Sequence, residues 1–253
     1  MSLDFVTSRP ARWKARFAVT PLFIFGLSCS EDEPSAPAPP ISELVVVSGD
    51  LQTGTVGQGL ADPLVAQLRH RETGEGLANR PISLTVESGM GSVAGTAGGS
   101  AAGDGATLTT QTDASGRVSV ALGLGPEAGL QIFSVHTSVE VTGDSLVRIF
   151  AVAEPGAVQR VVKSGDGQEG ATGAVLPLPV AVLLSDRFGN PVSGVEVGFG
   201  ATAGGGSVSE SMVATDEFGS AAVEWTLGAA AGSQAMSAVV DGVGTFRFEA
   251  IAQ

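Results

Sequence analysis

Beyond residue 40 the chain alternates apolar and polar positions with a period of two, the repeat of a half-buried strand. Val118, Val120, Leu122 and Leu124 alternate with Arg117, Ser119, Ala121 and Gly123. Val195, Val197 and Phe199 flank Glu196 and Gly198, and Phe246, Phe248 and Ala250 flank Arg247 and Glu249. In each run the large apolar set is expected to face a core and the other set to face water. Turn signals recur about every 8 to 12 residues, at Gly189-Asn190-Pro191, between Asp216 and Gly219, and at Asp241-Gly242. No stretch carries a helical period with caps. The pattern predicts an all-β chain.

From residue 41 to 253 this pattern is read twice. The first copy opens with LVVVSGD at 44–50 and the second with VVKSGD at 161–166. At an offset of 115, Gly74, Leu77, Ile82 and Leu84 fall on Gly189, Val192, Val197 and Phe199. At an offset of 103, Thr112, Asp113 and Gly116 fall on Thr215, Asp216 and Gly219, and Leu122 falls on Trp225. Gly125, Gly129 and Gln131 fall on Gly228, Gly232 and Gln234. A last offset of 99 brings Arg148 onto Arg247. Every change of offset lies in a Gly-, Ser-, Thr- or Asp-rich stretch. Loops tolerate length changes, whereas a one-residue slip in a strand inverts its faces. The expected architecture is therefore two tandem immunoglobulin-like β-sandwiches, at 41–154 and 155–253, each of about seven strands. Glu154-Pro155-Gly156 is the expected boundary. So short a linker leaves the pair little freedom.

The N-terminal 40 residues follow a different rule. Arg9, Arg12, Lys14 and Arg16 precede an apolar stretch at 17–28. Its 12 residues are fewer than the ~20 that cross a bilayer as a helix, and match the apolar segment of a signal peptide. Residues 1–28 are expected to be that signal peptide. Cys29, the sole cysteine, follows at once, and GLSC at 26–29 resembles a bacterial lipobox. Two readings of Cys29 stand: a lipidated new N-terminus anchored in a membrane, or an incidental residue near an ordinary cleavage site. Residues 29–40 are rich in Pro and acid and read as a disordered tether, with a reach of roughly 30 Å at ~3 Å per residue. By the same resemblance, Ser30 after the cysteine implies outer-membrane sorting.

Charge narrows the partners. The formal net charge is −13, and removing residues 1–28 leaves 25 acidic and 9 basic side chains. Such a surface repels phosphate backbones, so nucleic acid is excluded as a partner. Glycine is abundant at 36 residues but follows no G-X-Y period, which excludes collagen.

The second copy reads LPLPV at 176–180, DRFGNPVSGV at 186–195, GGGS at 204–207, TDEFG at 215–219 and WTLG at 225–228. In order and spacing it resembles the bacterial immunoglobulin-like repeat of the invasin and intimin stalks. The first copy resembles it more loosely, with TGEG at 73–76 in place of the Gly-Asn-Pro turn and Leu122 in place of the tryptophan. The resemblance implies a sandwich acting as a spacer or adhesive stalk outside the cytoplasm. Residues 41–253 contain neither the outer-membrane β-barrel nor the lectin-like tip of that family, so autotransport and receptor binding do not follow.

Candidates for chemistry are few. No HExxH, GxSxG or CxxC motif occurs. His70 and His136 lack a Ser, Cys or carboxylate at the spacing of a triad or metal site, and His136 is expected to be exposed. The Gly-rich stretch 89–105 lacks the Gly-Lys-Ser/Thr ending of a phosphate loop and is expected to be an inter-strand loop and a contact surface. Asp50 with Asp113, or Asp166 with Asp216, invite calcium, but each sits beside a turn that its side chain would cap. Trp225 is expected in the core, against the alternative of a sugar-stacking platform. No cofactor or metal is expected, and the chain is expected not to be an enzyme. The expected function is a non-catalytic surface module whose partner is a surface protein or glycan. The alternative is a carbohydrate-binding or accessory module on surface polysaccharide.

Overall fold

A computed structural model of the chain describes residues 41–95 and 98–253. The signal peptide, Cys29 and the tether lie outside the described residues. Within them there are twenty strands and no helix. The first ten are β1 (Ser42–Ser48), β2 (Gln52–Thr55), β3 (Leu64–His70), β4 (Pro81–Ser88), β5 (Ser92–Gly95), β6 (Ser100–Ala102), β7 (Thr107–Gln111), β8 (Arg117–Gly123), β9 (Gly129–Thr137) and β10 (Leu146–Glu154). The second ten are β11 (Arg160–Ser164), β12 (Gln168–Gly170), β13 (Val180–Ser185), β14 (Glu196–Ala203), β15 (Ser207–Val208), β16 (Met212–Ala214), β17 (Ser220–Val223), β18 (Trp225–Thr226), β19 (Gly232–Val240) and β20 (Gly244–Ala252).

Strands β1–β10 form sheets of order β1-β3-β8-β5-β6 and β2-β10-β9-β4-β7. Strands β11–β20 form β11-β13-β17, β12-β20-β19-β14-β16 and the pair β15-β18. Neighbours are antiparallel except β2 with β10 and β12 with β20, which are parallel. The exceptions arise because the opening edge strand of each set crosses from one sheet to the other, after Ser48 and after Ser164.

Each set closes on its own core, as the alternation requires. In the first, Leu64, Ala66 and Leu68 of β3 and Val118, Val120 and Leu122 of β8 meet Ile82, Leu84 and Val86 of β4 with Phe133, Val135 and Ile149 of β9 and β10. In the second, Val180, Val182, Leu184 and Trp225 meet Val197, Phe199, Met236, Ala238 and Phe248. Burial of this kind is worth ~25 cal/mol per Å² of apolar surface, and a single sheet face alone could not provide it. The chain is an all-β protein built of β-sandwiches.

Two expectations need correction. Each set holds ten strand segments among the described residues, not about seven, because edge strands break where they change sheet. The counterpart of β8 is also split into β17 and β18. And the Gly-rich stretch 89–105 is not one loop. Ser92, Val93 and Ala94 of β5 pair with Ala102, Ala101 and Ser100 of β6, so the insertion adds a strand to the sheet edge. Small side chains leave the backbone N–H and C=O groups free to ladder, and Val93 anchors the strand in the core.

The same backbone is imposed on both copies whether or not the residue suits it. Leu51 (φ 58°) and Met90 (φ 58°) occupy the left-handed region at positions where the second copy has Gly167 (φ 73°) and Gly205 (φ 77°). For a side chain with Cβ this conformation costs ~1–2 kcal/mol, while glycine's extra unfolded entropy costs roughly 0.5–1 kcal/mol. Leu51→Gly and Met90→Gly should each therefore raise stability by about 0.5–1 kcal/mol in urea unfolding. The reverse change, Gly167→Ala, should lower it by about the same amount.

Candidate functional site

Where strands leave a sheet, backbone groups lose their ladder partners and must find others. In both copies a buried side chain meets this need at the same place. Gln131 accepts from Gly125 N at 2.9 Å and donates to Glu127 O at 2.9 Å. Gln234 accepts from Gly228 N at 2.7 Å and donates to Ala230 O at 2.8 Å. Thr112 binds Arg80 N and Leu77 O, and Thr215 binds Val195 N and Val192 O. Gln52 ties Asp62 to Gly49 as Gln168 ties Leu178 to Gly165.

One polar cluster is not duplicated, and it joins the two sandwiches. Just past the end of β13, Asp186 is buried, at 1% exposure. Its Oδ1 accepts from the N–H groups of Phe188 (2.8 Å) and Asn190 (2.9 Å). Its Oδ2 accepts from the Asn190 side-chain amide (2.9 Å) and from Gly156 N (3.1 Å), in the segment between β10 and β11. Asn190, fixed in this way, reaches the connection between β8 and β9. Its Nδ2 donates to Pro126 O at 2.8 Å and its Oδ1 accepts from Ala128 N at 3.0 Å. Beside it, the Arg187 guanidinium lies 4.3 Å from the centre of the Phe188 ring. Both side chains press on Gly57, where an added Cβ would lie 2.7 Å from each. A cleft of about 170 Å³ remains at this junction, between Thr55, Gln58, Ala157, Gln159, Asp186 and Arg187.

Burial pushes the Asp186 carboxyl up, but the Asn190 amide and the N–H groups of Gly156, Asn190 and Phe188 outweigh it and hold the group below the ordinary aspartate value. Four N–H groups also occupy the four acceptor positions of the carboxylate, so the cluster is built to position backbone, not to seize a cation. The first copy has Arg71 at the place of Asp186 and Glu75 at the place of Asn190. The sequence marks Asn190 only as part of a turn and does not mark Asp186 as its buried anchor. The available signal was that turn itself, where one copy reads Gly-Asn-Pro and the other does not.

The residues that sequence did single out are dispersed. His136 is exposed beside the 138–145 loop, as expected, and His70 ends β3 with its buried Nδ1 unbonded among the described residues. Asp50 accepts from Leu51 N and Phe150 N, and Asp166 from Glu249 N and the Lys163 ammonium. Asp113 accepts from Ser115 and Arg117, and Asp216 from Phe218 N and Ser220 N. All four aspartates hold turns or crossing strands. Among the described residues no group of three or more His, Cys, Asp or Glu side chains is arranged to hold a metal. Trp225 is in the core at 1% exposure, its indole N–H without a partner among the described residues.

No family model and no curated protein matches the chain. Solved structures do. FdeC, an Escherichia coli adhesin, is 16% identical over 85% of this chain with a TM-score of 0.46, and this chain spans 65% of that one. The D00-D0 domain of intimin is 12% identical over 84% of this chain and 100% of that chain, with a TM-score of 0.42. A Parabacteroides merdae β-glucuronidase is 14% identical over 84% of this chain, but only 24% of that chain, with a TM-score of 0.28. Likeness at this level says nothing about ligand or activity.

Removing the Asn190 side chain deletes both of its bonds across the junction. With the bond to Asp186 lost as well, and at about 0.5–1.5 kcal/mol for each of the three, Asn190→Ala should cost about 1.5–4.5 kcal/mol in urea unfolding. The folded Asp186 carboxyl has the lower pKa, so its contribution is complete above the unfolded value of about 3.9. That contribution should fall away as pH drops from there through the lower folded value. The Gly156 amide resonance, followed by NMR against pH, should shift with a midpoint below about 3.9, and Asp186→Asn should abolish that transition.

Proposed function

We propose that this chain is a non-catalytic spacer and adhesion module of the bacterial envelope, made of two immunoglobulin-like domains at 41–154 and 155–253 and tethered by lipid at Cys29. The observation that carries the reading is where the buried polar side chains are used. Gln131, Gln234, Thr112, Thr215 and Asp186 all hold backbone, and one of these clusters joins one sandwich to the other. Buried side chains that fix backbone in this way support a role in holding position and presenting surfaces rather than in turning over substrate. The acidic surface suits a domain facing solvent outside the cell, and the basic leader, apolar stretch and cysteine suit export followed by acylation. Its partner is then a surface protein or a glycan met by an exposed face.

The rival reading, carbohydrate binding through an aromatic platform, loses its best residue, because Trp225 lies within the second core. Two experiments test the proposal. Cys29→Ala should stop incorporation of a radiolabelled fatty acid and move the protein from the membrane fraction to the soluble one; unchanged labelling would sink the anchor. Trp225→Ala should cost about 3–5 kcal/mol, as for other large core truncations. A variant that keeps its full stability while losing binding on a glycan array would instead restore the rival.

A further inference from the structure

The junction has two sides, and the acceptor side is duplicated. In the first sandwich it consists of residues 55–58 and the connection 125–129. In the second, the corresponding segments are 171–174 and 228–232, of the same length and fixed by the same bonds. Gly57 N donates to Gly125 O at 2.9 Å, and Gly173 N donates to Gly228 O at 3.1 Å. Val56 N donates to Glu154 O, and Thr172 N to Gln253 O, both at 3.0 Å. The Gln131 and Gln234 clamps hold the two connections alike. This correspondence puts Ala229 O at the place of Pro126 O, and Ala231 N at the place of Ala128 N. Those are the two groups that Asn190 binds in the first sandwich.

In the second sandwich that surface is open. Ala229, Ala230 and Ala231 are exposed. Gly57 has Arg187 and Phe188 against it, whereas its counterpart Gly173, at nearly the same φ (76° against 70°), has nothing within 4 Å of where a Cβ would stand. We infer that residues 171–174 and 228–232 form a docking end for a further β-sandwich that presents an Asp-X-X-X-Asn turn with an aromatic residue two places before the asparagine. The occupant is defined by what fills the twin site: an amide that donates to one carbonyl and accepts from one N–H, and a ring that covers a bare glycine.

A second copy of this chain does not supply that occupant. Its 186–190 turn is engaged on its own first sandwich, and its corresponding first-copy turn offers Arg71 and Glu75. A glutamate there could accept from Ala231 N, but it would set its second oxygen against Ala229 O with no proton between them. Arg71 offers no carboxylate to fix the turn. The partner is thus another β-sandwich that carries such a turn.

The test extends the full chain after Gln253 with a second copy of residues 155–253 and follows amide hydrogen exchange by NMR. The Ala231 amide should exchange roughly tenfold more slowly in the extended chain than in the original, the effect of about 1.4 kcal/mol, approaching the rate of Ala128. Asn190→Ala placed in the appended copy alone should return Ala231 to its original rate and leave Ala128 unchanged. An Ala231 rate that ignores the appended copy would overturn the inference. So would protection that survives the Asn190→Ala change, which would mean a contact of some other kind. An appended copy that fails to fold would overturn it too, because the twin end already carries that same unit.

Discussion

Backbone groups at the ends of strands are the problem that this structure has to solve. A sandwich covers its apolar faces by stacking two sheets, but wherever a strand crosses between sheets or leaves one, N–H and C=O groups are stranded beside a dry core. Leaving one unmet costs about 1–3 kcal/mol. Here glutamine, threonine and aspartate side chains meet them, at the same places in both copies. Gln131 and Gln234, each 1% exposed, are bonded at both ends of the amide. Their burial is possible because the connecting loop offers one donor and one acceptor at the spacing of a carboxamide. The loops at 125–129 and 228–232 therefore keep their length and form although the residues between the glycines differ.

The junction between the sandwiches applies the same chemistry to a charge. A carboxylate as buried as Asp186 is costly to desolvate, and only a full set of donors makes it tolerable. Three of those donors come from its own turn, and the fourth is Gly156 N in the connecting segment. The carboxylate aligns the Asn190 amide, and the amide binds the first sandwich. A short covalent linker alone still leaves the two bodies some freedom to turn about it. The added bonds restrict that freedom at the cost of ordering one side chain. Because the charged form engages all four donors, neutral pH favours these bonds.

With the buried polar side chains committed in this way, what the molecule presents to others is surface. The two copies differ there as much as they agree inside. The first copy adds β6 to a sheet edge and keeps Leu51 exposed in a strained conformation where the second has glycine. The second carries the Asp186–Asn190 turn that the first lacks. Each copy closes its own core, and the two differ in core side chains, as at Leu122 and Trp225, as well as at the surface.

Alternation alone specified which residues lie inside. Val118, Val120 and Leu122, or Phe248 and Ala250, could be assigned to a core from sequence because a period of two has only two faces. The repeat identified its own loops, since length changes can survive only where no ladder register has to be kept. Even the amide clamps were visible, as the recurring Gly125, Gly129 and Gln131 pattern, although their role was not. What the sequence could not reveal was partnership over distance. Asp186 meets Gly156, and Asn190 meets Pro126 and Ala128, across some 30 and 60 residues of chain. Nor could composition separate a glycine-rich loop from the β5–β6 hairpin, because small residues can pair or not pair with similar ease. Hydrophobic periodicity is a local property and is written along the chain. A hydrogen bond between two loops depends on where both sheets have already placed them, and only the folded structure supplies that.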